Sequence, residues 1–107
     1  MRVGTDLVLT IWGGTVPHVG AVALAQARPS LADPGVASAT SSVLTLLGHK
    51  DDVVAREAAD RFAAALGSTV VATAGLHVDA ATPEEIQTLI ATARCCLDQL
   101  LGEVMTD

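Results

Sequence analysis

Three short clusters hold every histidine of the chain: Pro17-His18-Val19-Gly20, Gly48-His49-Lys50-Asp51-Asp52 and Gly75-Leu76-His77-Val78-Asp79. Each lies where the surrounding pattern changes from one element to the next. In the second, an apolar β-prone run gives way to an amphipathic one, so residues 48–52 read as a helix start. A helix N-terminus presents unpaired N–H groups and a partial positive charge, which attract phosphate or carboxylate. Lys50, the only lysine of the chain, adds a full charge there. A cation at that end is unfavourable unless an anion sits beside it. We therefore expect His18, Gly20, Gly48, His49, Lys50, Asp51, Gly75, His77 and Asp79 to form one site for an anionic small molecule. In the plainer alternative, Asp51 caps the helix and Lys50 points into water.

His77 and Asp79 repeat the His-x-Asp spacing of His49 and Asp51. Alternate residues of an extended chain share a face, so a carboxylate there can orient the imidazole and raise its basicity. Asp79 has a simpler alternative role, satisfying loop amides ahead of the next helix. Gly20, beside His18, would let a ligand or another backbone approach closely. Three histidines can in principle bind zinc, but no local His-x-x-x-His spacing supports it, and no metal is expected. Ser38, Ser41 and Ser42 lie in a predicted strand without a nucleophile elbow, and neither a Gly-x-Gly-x-x-Gly nor a P-loop is present. No catalytic residue is assigned.

The elements that must position these clusters follow from periodicity. Residues 5–12 are β-branched and apolar and read as a strand, and Gly13-Gly14-Thr15-Val16-Pro17 supplies hairpin turn chemistry toward a second strand over 18–26. Residues 27–36, with two prolines and a glycine, read as a connecting loop or a flap over a site. A third strand is expected over 37–47. Over 51–66, Val54, Ala58, Phe62 and Leu66 recur at steps of four and define a helix that Gly67 stops. A fourth strand follows over 69–74. Thr82, Pro83 and Glu85 then form a capping box ahead of a long helix whose stripe runs Ile86, Leu89, Ile90, Ala93, Leu97, Leu100, Leu101, Val104. The order β-β-β-α-β-α predicts an α/β fold of α+β type, one sheet with both helices on one face.

With 107 residues, 50% of them hydrophobic, the chain has the size of a single domain over 1–107 with one core. Trp12 and Phe62 are its only aromatic residues, so Val, Leu and Ala must fill that core. Small side chains and a second apolar sheet face imply a homodimer or higher oligomer. A net charge of −6 and the lack of stacking rings argue against nucleic acid. The N-terminus lacks a signal peptide's apolar core and no run reaches membrane-span length, which predicts a cytoplasmic protein with no membrane partner. Cys95 and Cys96 are helix neighbours pointing about 100° apart, ill placed for a mutual disulfide.

The three clusters, with Gly13-Gly14 ahead of Pro17-His18-Val19-Gly20-Ala21-Val22-Ala23 and Thr82-Pro83-Glu84-Glu85-Ile86 after Asp79, resemble the prenylated flavin chaperone family, the LpdD-like domain of accessory subunits in gallate decarboxylase-type systems. The resemblance spans nearly the whole chain. It implies a fold similar to proteasome assembly chaperones. It also implies a non-catalytic carrier that binds prenylated FMN, or FMN itself, and helps supply it to a UbiD-type decarboxylase. The flavin phosphate would meet Lys50 and the amides after Gly48, and the histidines would contact polar ligand atoms. Two other classes remain at this stage: a small enzyme using His77 and His49 as acid and base on a phosphorylated or carboxylated substrate, and a structural assembly subunit.

Overall fold

The computed structural model describes residues 1–46 and 51–106. Gly48, His49 and Lys50, and Leu47 at the end of the third predicted strand, lie outside the described residues. The elements are β1 (Arg2–Val3), β2 (Asp6–Gly14), β3 (Ala21–Pro29), β4 (Ala37–Thr45), α1 (Asp52–Leu66), β5 (Thr69–His77) and α2 (Pro83–Met105). They form one five-stranded mixed sheet in the order β1-β2-β5-β3-β4, with β2 parallel to β5 and β3 antiparallel to both β5 and β4. The fold is α+β, as the order of elements predicts.

One expectation fails. The strands flanking Gly13-Gly14-Thr15-Val16-Pro17 do not pair as a hairpin, because β5 lies between them. The segment instead crosses over the end of β5, where Thr15 N–H and Val16 N–H donate to the His77 carbonyl at 2.8 and 3.3 Å and Gly20 N–H donates to the Ala74 carbonyl at 2.8 Å. Strands lie about 4.8 Å apart, so the link must span roughly 10 Å, which its length allows and a two-residue turn would not. Burial decides the competition. Val70, Ala72 and Ala74 are fully buried, so β5 takes the centre of the sheet and pairs on both edges.

The long hairpin of this fold is β3–β4, paired from Ala21↔Thr45 to Pro29↔Ala37. Its loop is shorter than predicted because Ala27, Arg28 and Pro29 continue β3. It is closed by Ser30 N–H to the Val36 carbonyl at 2.8 Å and Val36 N–H to the Asp33 carbonyl at 2.9 Å. The loop follows the far end of β3, about 27 Å of strand from Ala21, so it is no flap over the histidines. β1, which the sequence pattern did not reveal, is short and pairs only with Asp6 and Leu7.

The core alternates with the strands. Ala21, Ala23 and Ala25 on β3 and Val70, Ala72 and Ala74 on β5 face Val54, Ala55, Ala58, Ala59, Phe62 and Ala63 of α1, while Leu7 and Leu9 on β2 join the same core on the α2 side. Alanine on both sides lets α1 settle close to the sheet, with Phe62 as the one large ring inside. Gly67 ends α1 in the left-handed conformation, φ 64°, its N–H donating to the Ala63 carbonyl. α2 starts with both arms of the expected capping box: Thr82 Oγ1 accepts from Glu85 N–H at 3.1 Å, and Glu85 Oε1 accepts from Thr82 N–H at 3.2 Å. Only Ala93, Leu97 and Val104 of α2 are buried, and Ile86 and Leu100 on its apolar stripe remain exposed.

The other sheet face carries Val8, Trp12, Val22, Leu24, Leu44 and Val71, the residues that alternate with the core positions. Trp12, Leu24 and Leu44 are 64%, 48% and 78% exposed. Thr10, Thr73, Gln26 and Ser42 lie among them on the same side, so this exposed face mixes large apolar residues with uncharged polar ones. No helix among the described residues is long and apolar enough to cross a membrane.

Candidate functional site

β2 and β5 run parallel and end together, with Gly14 opposite His77. Sheets of this kind bind ligands beyond the carboxyl ends of such strands. Three further segments reach the same end: the 15–20 crossing, the first turn of α1 and the approach to α2. Chain segments remote in sequence thus place His18, Gly20, Asp51, Gly75, His77 and Asp79 together.

Asp51 is the hub. It precedes α1 in the N-cap position, yet its side chain makes no cap hydrogen bond. One carboxylate oxygen, Oδ2, faces His18 Nε2 at 3.1 Å, and the other, Oδ1, accepts from Leu76 N–H at 2.9 Å. The capping alternative for Asp51 therefore does not hold, and the first-turn amides of α1 are left without a cap from it. The side chains of His18 and Asp51 are 19% and 8% exposed, so water screens this pair far less than a surface one. His18 Nδ1–H also donates to the Val16 carbonyl at 3.1 Å, so both ring nitrogens face acceptors.

Two glycines make the contact sterically possible. A Cβ on Gly20 would collide with the Asp51 carboxylate, and one on Gly75 would collide with the His18 carbonyl carbon and oxygen. Close approach at Gly20 was expected from the sequence, and the group that uses it is the Asp51 side chain. Gly14, with φ 86°, plays the same part for the His77 carbonyl, which a Cβ there would strike.

His77 stands beside His18, ring centroids 6.1 Å apart and planes at 82°. Its Nε2 meets Asp79 Oδ1 at 2.9 Å, the coupling that the His-x-Asp spacing suggests, while Asp79 N–H donates to Thr15 Oγ1 at 3.3 Å. This pair is open to solvent, with side chains 42% and 77% exposed. The sequence reading missed Gly14, Thr15, Val16 and the Leu76 amide. The glycine pair at 13–14 was a visible signal, but the others act through backbone groups or a long-range contact that no local pattern reports.

Asp51 and His77 line one side of an open cavity of about 560 Å³, with Val54 of α1 and Ile86, Leu89 and Ile90 of α2 on the other. A polar wall opposite an aliphatic one suits an amphipathic small molecule, and the size falls within the usual range for ligand pockets of roughly 300–1,000 Å³. Arg61 and Arg94 are engaged elsewhere, with Asp98 and Glu57 between the two helices. Among the described residues, no group of three or more His, Cys, Asp or Glu side chains is arranged to hold a metal ion. The described side chains can donate and accept hydrogen bonds and orient a bound molecule, and the cluster contains neither serine nor cysteine.

The sequence model of the prenylated flavin chaperone LpdD-like domain matches residues 1–105. A comparison with curated proteins finds no match.

Proposed function

We propose, from the premise that this chain belongs to the prenylated flavin chaperone LpdD-like family, that it is a non-catalytic carrier which binds prenylated FMN and hands it to a UbiD-type decarboxylase. The observation that carries the reading is the joining of His18, Asp51 and His77 beside a cavity of about 560 Å³ at the carboxyl ends of β2 and β5. A flavin needs partners of this kind: donors and acceptors for its pyrimidine edge, aliphatic walls for its rings, and a cationic or amide-rich place for its phosphate. His77 serves the first need, with His18 held beside it by Asp51 and the Val16 carbonyl, and Ile86, Leu89 and Ile90 serve the second. For the phosphate we assign Lys50 and the α1 N-terminus, with Gly48 and His49 next to them in sequence and Gly20, Gly75 and Asp79 holding the surrounding frame. Asp51 acts as the positioning group that fixes the His18 ring.

A carrier takes up its ligand saturably and without turnover. Titration of the purified protein with prenylated FMN, followed by absorbance and fluorescence, is expected to saturate at a fixed stoichiometry. Protein purified from cells that make prenylated FMN is expected to retain it by mass and spectrum. Failure to bind either prenylated FMN or FMN sinks the reading.

A second reading has one specific observation behind it, the His77–Asp79 pair at 2.9 Å, which has the form of an oriented general base. That small-enzyme reading requires product release from a phosphorylated or carboxylated substrate, abolished in His77→Ala. We further propose that two copies bury the face of Trp12, Leu24 and Leu44 against each other. We further propose a cytoplasmic setting.

A further inference from the structure

α2 carries more apolar surface than the sheet covers. Between it and the outer edge of β2 runs a slot of about 360 Å³, walled by Leu9, Ile11 and Gly13 on one side and Leu89, Ala93 and Leu97 on the other. No charged side chain lines it. β1 pairs only with Asp6 and Leu7, so it does not cover this stretch of β2. Leu76 and Leu89 line both this slot and the Asp51–His77 cavity, so the two spaces adjoin and share part of their walls.

We propose that the slot is the subsite for the hydrocarbon edge of the flavin, the edge that carries the ring methyl groups and, in the prenylated form, the added prenyl carbons. This rests on the carrier reading above. Adjacency to the polar cavity across Leu76 and Leu89 selects a single ligand with one polar and one apolar end as the occupant. The slot's volume lies at the small end of ligand pockets, roughly 300–1,000 Å³, as a part-site should. An extended peptide added to the β2 edge, or a second copy laid on α2, would cover the same residues. Because the footprint is read with purified protein and prenylated FMN alone, protection that needs the ligand excludes a peptide, and protection that follows protein concentration reports a second copy.

Cys96 lines the slot and Cys95 does not, and both thiols are exposed. The pair is a built-in footprint with its own control. The protein is mixed with prenylated FMN at saturation, treated with N-ethylmaleimide, and the two positions are read separately by mass spectrometry. The expected result is that Cys96 reacts at least about fivefold more slowly with ligand than without, while Cys95 is unchanged. Ligand bound by titration with Cys96 reacting at its original rate overturns the subsite and leaves the carrier reading standing. Equal slowing of both thiols, or slowing that follows protein concentration rather than ligand, assigns the face to a second copy and overturns it too. Absence of any ligand binding removes both readings together. As a second arm, Cys96→Trp fills the slot from an exposed position, so folding is retained by circular dichroism. Affinity for prenylated FMN is expected to fall roughly tenfold, the loss of about two buried methyl equivalents. Wild-type affinity in that variant overturns the proposal.

Discussion

The Asp51 carboxylate meets His18 Nε2 at 3.1 Å across 33 positions of sequence, while its other oxygen holds the Leu76 amide at 2.9 Å. One side chain thereby ties the crossing segment, the start of α1 and the end of β5. Replacing Asp51 by Ala leaves a shielded ring nitrogen and a backbone N–H without their partner. The expected loss is about 1–3 kcal/mol of stability, measured by urea unfolding. A variant as stable as the parent would show that the contact is not formed in solution.

Gly75→Ala and Gly20→Ala test the same junction by volume. The new methyl at 75 meets backbone, the His18 carbonyl, while that at 20 meets a side chain that can rotate. Both should destabilise, Gly75→Ala by roughly 1–3 kcal/mol and the more severely of the two. Gly102, inside α2 with open space around it, is the control, and Gly102→Ala should stabilise by about 0.5–1 kcal/mol. The order of the three midpoints is the readout.

Lys50→Ala is expected to weaken binding of prenylated FMN, and by more at low salt than at high salt, because an exposed ion pair is screened within about 10 Å at 0.1 M ionic strength. Affinity lost equally at both salt concentrations would argue against direct contact between Lys50 and the phosphate.

His77 and Asp79 are exposed enough that their pairing adds little to folding. His77→Ala should therefore shift stability by no more than about 0.5 kcal/mol while reducing flavin affinity. Unchanged affinity in a folded His77→Ala protein would remove His77 from the site.

Trp12, the only tryptophan, stands 64% exposed on the open sheet face and reports directly on its burial. If two copies meet there, its emission should shift to the red on dilution, and Leu24→Glu with Leu44→Glu should give a monomer by light scattering. Fully exposed emission at every concentration, with a dimer still present, would place the interface elsewhere.

The sequence by itself determined what depends on neighbours within a turn or two. The Thr82–Glu85 capping box, the stop at Gly67, the spacing of Val54, Ala58 and Phe62, and the His77-x-Asp79 coupling are all short-range and all present in the fold. It also pointed to His18, Asp51 and His77 as parts of one site, because histidines gathered at element boundaries stand out in so apolar a chain. Only the tertiary structure decided that β5 would enter between β2 and β3. A turn-like segment specifies a change of direction but not how many strands it passes, and the burial of Val70, Ala72 and Ala74 settles that globally. The same holds for Asp51. Its sequence position suits a helix cap, and only the arrival of His18 and the Leu76 amide from distant segments turns its carboxylate away from that role and into the centre of the site.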